Sequence, residues 1–225
     1  MVGVLCTETI RMTKSPTVTV TKMTNMAKIY DGVEPKNGEY VTIAIDGRGA
    51  SGKSALAEFL SQELQEFTII NGDDYFEPHS NEITWGEFNE ERFLDEVLLP
   101  VKMGLREFTI RPFDFPQGEL GHPKQITMDR GIIIERCYSF ELPVDWDIKI
   151  WVETPERICL ERGLQREGAK LLGERATAAW LQVWQPRETR YIAEFLPRQI
   201  ADYVVDGTRP FENRNWVARS SLTEE

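Results

Sequence analysis

The chain has 225 residues, of which 41% are hydrophobic, and this length favours a single domain with one substantial core. Its formal net charge is −11 and its pI is near 4.9, which argues against a nucleic-acid partner because most of the surface would repel a polyanion. No apolar run approaches the roughly 18 residues that a membrane-spanning helix needs. The composition therefore predicts a soluble protein, still able to hold small anionic substrates locally.

The cysteines Cys6, Cys137 and Cys159 match neither a disulfide framework nor a metal cluster, so they are interpreted as packing residues. Unpaired cysteines fit a reducing compartment, and a cytoplasmic location is expected. Residues 1–38 form an N-terminal extension with one candidate edge strand at 17–21, and we assign it no function. Residues 39–225 are predicted to form the folded domain.

From Tyr40 onward, candidate strands alternate with candidate helices, which predicts an α/β fold with a parallel sheet covered on both faces. Strands rich in Ile and Val are predicted at 41–46, 67–70, 108–112, 131–135, 148–152 and 202–205. Helices are predicted at 53–66, 88–103, 155–167 and 174–196. Prolines and glycines predict a loop or hairpin over 113–124.

The first strand runs directly into a Gly-x-x-x-x-Gly-Lys-Ser segment that opens the first helix, which is the expected setting of a phosphate-binding loop. Its glycines let successive N–H groups converge on phosphate oxygens, Lys53 would reach the β- and γ-phosphates, and the Ser54 hydroxyl is placed to ligate Mg²⁺. The sequence therefore predicts binding of ATP or GTP. The predicted nucleotide contacts are Gly47, Arg48, Gly49, Ala50, Ser51, Gly52, Lys53, Ser54 and Ala55.

Acidic residues follow three of the candidate strands, where ligands of doubly wound sheets lie. Phosphoryl transfer to an alcohol needs a base for the hydroxyl proton and a metal that spreads the developing charge. We interpret Asp73 as the base, and Glu135 as part of the Mg²⁺ environment, through water, with Ser54 and Asp73. The alternative for Asp73 and Asp74 is an acidic turn or helix cap.

Further candidates would bind the acceptor or the phosphates. Trp85 is a stacking candidate in sequence near the proposed acceptor site, whereas Trp180 is predicted to pack in the core. Arg162 and Arg166 are four residues apart, so both could project from one helical face toward a shared anion, and a solvated charged face is the alternative. Gly163 and Gly168 indicate a segment that closes over substrate. The predicted substrate-binding residues are Asp74, Tyr75, Trp85 and Asp114.

Taken in order, these segments resemble the uridine kinase group of P-loop kinases over residues 40–207. The likeness rests on the phosphate loop, on 72–76, on 133–135, on Arg162 with 166–168, and on 201–207. It implies a three-layer fold, with a five-stranded parallel sheet flanked by helices and a mobile helical lid. It also implies ATP and Mg²⁺ as cofactors, Asp73 as the base, and Arg162 and Arg166 as lid arginines. The histidine-containing segments that help this family read a nucleoside are absent at 85–89 and 113–117.

These observations predict an ATP- and Mg²⁺-dependent kinase that phosphorylates a hydroxyl of a small molecule, with a nucleoside such as uridine as the leading acceptor. Pantothenate, a sugar or another metabolite stays open as the acceptor. A nucleotide-binding switch that hydrolyses without a second substrate is the alternative from another class. A structural protein with a relic loop is disfavoured because Lys53, Ser54, Asp73 and Glu135 are all present. The oligomeric state, including a homo-oligomer, and the preference between ATP and GTP stay open.

Overall fold

The computed structural model describes residues 7–9, 19–23, 29, 32–36, 38–78, 86–115, 117–169, 177–211 and 216–219. Trp85, predicted to bind the acceptor, lies outside the described residues. Among the helices of the described ranges, none combines the length and the apolar character needed to cross a bilayer.

Five parallel strands form the centre of the molecule, which confirms the predicted sheet. They are β1 Val41–Gly47, β2 Phe67–Asn71, β3 Gly131–Glu135, β4 Ile148–Glu153 and β5 Tyr203–Asp206. Their order across the sheet is β2-β3-β1-β4-β5. The central strand β1 is buried along its whole length, as its apolar run predicts for a strand covered on both faces. Antiparallel strands Trp216–Arg219, Thr19–Met23 and Thr7–Thr9 continue the sheet beyond β5.

Helices cover both faces of this sheet and create two apolar cores. On one face Leu56 and Leu60 of the first helix pack with Ile43, and on the other face Val97 and Tyr191 join the core. The helices are α1 Lys53–Leu64, α2 with segments Glu90–Phe93, Leu94–Leu98 and Leu99–Lys102, α3 Glu156–Ala169, α4 with segments Trp180–Trp184 and Gln185–Phe195, and α5 Pro197–Ile200.

Helices α2 and α4 each contain one π-helical segment, Leu94–Leu98 in α2 and Trp180–Trp184 in α4. Each π segment is followed within two residues by a proline, Pro100 or Pro186. Proline lacks the N–H for the intrahelical bond and its ring crowds the carbonyl four residues earlier, so a wider turn accommodates it. The predicted helices at 88–103 and 174–196 therefore form without breaking at their prolines.

The predicted strand at 108–112 needs a correction, because it does not belong to the parallel sheet. The chain forms strand Glu107–Ile110, which pairs antiparallel with Lys124–Thr127. Its residues alternate between exposed and buried, as a strand with one solvated face does, whereas strands of the parallel sheet are buried on both faces. The predicted hairpin within 113–124 is present, with Phe113–Asp114 paired to Glu119–Leu120.

Candidate functional site

The phosphate loop connects β1 to α1 and leaves the start of the helix open. Gly52 has φ of +108° and Ala50 has φ of +57°, left-handed conformations that turn the chain into α1. Helix α1 begins without a side-chain cap, so its first amides present the positive end of the helix dipole. The Ser51 hydroxyl is buried without a hydrogen-bond partner in the described part of the chain. An uncapped helix start beside an orphan hydroxyl fits a phosphate group.

The Lys53 ammonium group is buried within the loop. It donates to two main-chain carbonyl oxygens of the loop at 3.2 and 2.9 Å and lies 3.2 Å from the Cys137 sulfur. Burial lowers the pKa of Lys53, but Cys137, Glu135 and Asp73 raise it, and the outcome is a pKa above the usual range. Burial raises the pKa of Cys137 to about 12. The thiol is therefore neutral, and the Lys53 ammonium stays charged beside it. Cys137, predicted only to pack, contacts the loop lysine.

Glu135 stands at the end of β3, level with Asn71 at the end of the neighbouring β2. Its Oε1 accepts a hydrogen bond of 3.1 Å from the Ser54 hydroxyl. Burial raises the pKa of Glu135 to about 7, the Lys53 charge opposes this shift, and the Asp73 charge adds to it. The ionised Glu135 carboxylate can bind a cation, because the charge of the cation favours the ionised form over the protonated one.

Asp73 is exposed on a short turn that directly follows β2. The Asn71 side chain accepts a hydrogen bond of 3.0 Å from the Asp73 N–H and so fixes the start of the turn. The Asp73 charge contributes to raising the pKa of both Lys53 and Glu135, so Asp73 lies within electrostatic range of the phosphate loop. The structure thus brings together the four residues that the sequence assigns to phosphate chemistry, with Ser54 as the fourth.

The residues that could hold Mg²⁺ do not form a ready-made cage. Within the described ranges, no three His, Cys, Asp or Glu side chains are gathered at metal-binding spacing. Magnesium normally keeps several waters and takes one or two protein carboxylates together with substrate phosphates. The Ser54 hydroxyl and the Glu135 carboxylate fit that pattern, because both sit beside the uncapped start of α1.

The candidates for acceptor binding are placed differently from one another. Asp74 is half-buried, and burial raises its pKa to about 6 while the Lys124 charge opposes the shift. Asp114 is half-buried, and its Oδ1 accepts a hydrogen bond of 3.2 Å from the Gln117 N–H, which is a local turn cap. Tyr75 is fully buried in the core rather than at the open face of the site.

Arg162 and Arg166 differ in exposure, since Arg162 is half-buried and Arg166 is exposed. The Arg162 guanidinium donates to the carbonyl oxygens of Gly207 and Thr208 at 2.8 and 3.3 Å, just beyond β5. Arg166 is exposed one turn further along α3. Arg162 therefore ties α3 to the main chain beyond β5, and it also donates a long hydrogen bond of 3.5 Å to the carbonyl oxygen of Ser51 in the phosphate loop.

Sequence reasoning missed the buried contacts that fasten α4 to the phosphate loop. The Glu188 Oε1 accepts a hydrogen bond of 2.7 Å from the Gly49 N–H, and its Oε2 accepts one of 3.4 Å from Arg48. Trp180 is buried, as predicted, and its ring covers Gly49 and Gly163 so closely that a Cβ at Gly163 would overlap it. Gly163, predicted to loosen the helix, is instead a packing glycine. The helical spacing of Trp180, Trp184, Glu188 and Tyr191 was the available signal.

A second missed residue is Asp46, which is fully buried immediately before the loop. Its carboxylate accepts hydrogen bonds from the N–H groups of Gly47, Tyr138 and Phe140 at 2.6, 2.9 and 3.1 Å. It also accepts one of 2.6 Å from the Tyr191 hydroxyl. Burial raises the pKa of Asp46, and these donors oppose the shift. Asp46 therefore joins the loop, the segment after β3 and helix α4 at one point.

Comparisons with known proteins agree on the fold. No family model and no curated protein matches the chain. A solved structure described as a possible uridine kinase from Bacillus stearothermophilus is similar, with a TM-score of 0.59, 18% identity, and coverage of 80% of this chain and 95% of that one. A candidate fructose transport system kinase from a Silicibacter species has a TM-score of 0.58 and 21% identity, covering 75% and 94%. At these identities the likeness establishes the fold, which is that of P-loop kinases.

Proposed function

We propose that this chain, built on the fold of P-loop kinases, transfers the terminal phosphoryl group of ATP to a hydroxyl group of a small molecule with the help of Mg²⁺. One observation carries the proposal. Asp73 and Glu135 stand at the ends of neighbouring strands, and both act electrostatically on Lys53 of the phosphate loop. A base, a cation and a metal-binding carboxylate are the groups that phosphoryl transfer to an alcohol requires.

Each residue has a distinct part in this reaction. The amides at the start of α1 and the Lys53 ammonium bind phosphate oxygens, which would replace the carbonyl oxygens that now accept from Lys53. Ser54 and Glu135 would hold Mg²⁺, which when bound neutralises charge on the β- and γ-oxygens. Asp73, exposed beside the loop, accepts the proton of the acceptor hydroxyl. Arg166, which is exposed on α3, would contact phosphate together with Arg162.

The acceptor is proposed only as a small alcohol. The name of the first solved neighbour points to a nucleoside and that of the second to a sugar, and both classes present hydroxyl groups. A nucleotide-binding switch would use the same loop but would need no base. The exposed Asp73, on a turn that Asn71 fixes at the end of β2, favours the kinase over the switch.

The test is release of ADP from ATP and Mg²⁺ in the presence of nucleosides, vitamins, sugars and acidic sugars. We expect one class to stimulate ADP release, and Asp73→Asn to lower turnover by roughly 10²- to 10⁴-fold, the usual contribution of a general base. Binding of ATP to the variant, measured by calorimetry, should be preserved. The matched control is Asp129→Asn, since Asp129 is an exposed acid paired with Arg106. Full turnover in Asp73→Asn would contradict the proposal, and so would ADP release that no alcohol stimulates.

A further inference from the structure

One buried cation near the proposed base has no acidic partner. Arg136 directly follows Glu135, and its side chain is 9% exposed. Within the described part of the chain the Arg136 guanidinium forms no ion pair, and its one hydrogen bond is a long one of 3.3 Å to the Tyr138 carbonyl oxygen. Buried arginines are normally paired, because an uncompensated charge away from water is costly. The missing partner is therefore informative.

Arg136 lies directly beneath the turn that carries Asp73. A Cβ at Gly72, the residue before Asp73, would overlap the Cβ of Arg136, so the main chain of the turn rests on the arginine stem. The guanidinium carbon lies 3.6 Å from the centre of the Phe88 ring, and this ring contacts Tyr75, which follows Asp73 and Asp74 in the chain. Arg136 thus supports the main chain of the turn that carries Asp73.

The acidic groups nearest Arg136 raise its pKa but form no ion pair with it within the described residues. Burial lowers the pKa of Arg136, while Asp46, Cys137, Asp73 and Glu141 raise it. Asp46 already accepts four hydrogen bonds, and the Cys137 thiol is neutral. Asp73 is exposed and serves as the proposed base, and Glu141 is exposed and beyond ion-pair distance. None of these groups neutralises the guanidinium.

The side-chain nitrogens of Arg136 that make no hydrogen bond are not sealed in the core. Four buried side-chain atoms of the described residues lack a hydrogen-bond partner, and one of them is the Nε of Arg92, but none belongs to Arg136. The nitrogens of Arg136 that make no hydrogen bond therefore still contact solvent. A planar guanidinium with free donors in a recessed position is suited to bidentate binding of a carboxylate or a phosphate.

We propose that Arg136 binds an anionic group of the acceptor, a carboxylate or a phosphate, beside the hydroxyl that Asp73 activates. This inference rests on the proposed kinase function and narrows its substrate class. The enzyme would select acidic or phosphorylated alcohols over neutral nucleosides and sugars. The same anion chemistry could come from the transferred phosphoryl group of ATP, and the experiment separates the two sources.

The experiment offers the full-length chain matched acceptors that differ in charge: glycerol, glycerate and glycerol phosphate, then ribose, ribonate and ribose 5-phosphate, with uridine as a neutral nucleoside. The value of kcat/KM is read from ADP release. We expect the best anionic acceptor to exceed its neutral counterpart by at least about tenfold. Arg136→Met keeps the apolar stem and should lower kcat/KM for that acceptor by about 10- to 100-fold, a much larger change than in kcat/KM for the neutral counterpart or in the KM for ATP.

Two further variants keep the result interpretable. Arg136→Lys retains the charge but loses the planar fork, so it should restore part of the loss and keep the preference for anionic acceptors. It also serves if the methionine variant does not fold. Arg106→Met is the matched control, because Arg106 is an exposed arginine paired with Asp129.

Three outcomes overturn the inference. If wild-type enzyme prefers a neutral alcohol, the inference fails while the kinase function stands. If Arg136→Met slows all acceptors equally and weakens ATP binding, Arg136 serves the phosphoryl group of ATP instead. If no acceptor stimulates ADP release and calorimetry detects no nucleotide binding, the proposed function fails and this inference fails with it.

Discussion

The two halves of the candidate site are built in different ways. The nucleotide half is one continuous segment, 47–55, whose chemistry lies in its main chain and in Lys53 and Ser54. It is fixed from behind by buried contacts from Glu188 and Trp180. The proposed acceptor half instead combines side chains from separate segments, among them the exposed Asp73 and the buried Arg136. A local motif therefore determines the first half, and long-range packing determines the second.

This contrast separates two kinds of mutational effect. Changes behind the phosphate loop should lower the free energy of unfolding, because they disturb buried and closely packed contacts. Changes at Asp73 or Arg136 should alter turnover or acceptor choice with smaller effects on stability. Glu135 belongs to both halves, since it is buried and yet bonded to Ser54 of the loop.

Glu135 offers the largest expected effect on stability. Its pKa is raised to about 7 in the folded protein, above an unfolded value of about 4.5, so the folded state binds an extra proton between these values. The contribution of this proton to the free energy of unfolding is therefore fully present below pH 4.5. It is lost as the pH rises through 7, and the loss is at most about 3 kcal/mol. Urea unfolding from pH 4.5 to 8 should show this decline in the wild type and a weaker one in Glu135→Gln.

The difference between the wild type and Glu135→Gln isolates the contribution of Glu135 to this pH dependence. Asp74, whose pKa is raised to about 6, also lowers the free energy of unfolding as the pH rises, but it does so in both proteins. Parallel stability curves for the wild type and Glu135→Gln would refute the assigned shift. Binding of Mg²⁺ and nucleotide should have the opposite trend and strengthen as the pH rises through 7, because the ionised carboxylate is the metal-binding form.

Gly163→Ala tests the packing behind the loop. Alanine normally stabilises a helix interior relative to glycine by up to about 1 kcal/mol. Here the added Cβ would overlap the Trp180 ring, so we expect a loss of about 2 kcal/mol instead. Chemical unfolding measures the sign of this change in the free energy of unfolding. In a Trp180→Phe background the smaller ring should relieve most of the loss. A Gly163→Ala chain more stable than the wild type would show that the Trp180 ring does not pack closely against α3.

The parallel strands could be predicted because each is a short apolar run bounded by turn residues, and such a run is enough to predict a buried strand. The strand Glu107–Ile110 was found, but its partner was not, since pairing depends on where Lys124–Thr127 folds back. The helices were predicted through Pro100 and Pro186, whereas the π turns that accommodate these prolines leave no separate signal in the sequence.

The phosphate loop was readable because its spacing is fixed by the chemistry of phosphate binding. Glu188 and Arg136 were missed for the opposite reason, since a charged residue on a helix or after a strand is usually solvated. Only tertiary packing shows that Glu188 is 3% exposed and bonded to the loop. The segment after β5 supplies main-chain partners for the Arg162 guanidinium, which local spacing does not reveal.

The smallest expected effect comes from Tyr191→Phe, which removes one of the four donors to the buried Asp46 carboxylate. Hydrogen bonds to charged groups contribute about 1.5 to 3 kcal/mol, and three donors remain, so we expect a loss near the lower figure. Tyr75→Phe is the matched control, because the Tyr75 hydroxyl is buried without a partner among the described residues and its removal should be neutral or stabilising. Equal effects of the two substitutions on urea unfolding would mean that the Tyr191 hydroxyl contributes nothing specific. A loss confined to Tyr191→Phe would show that α4 holds the entrance to the phosphate loop through Asp46.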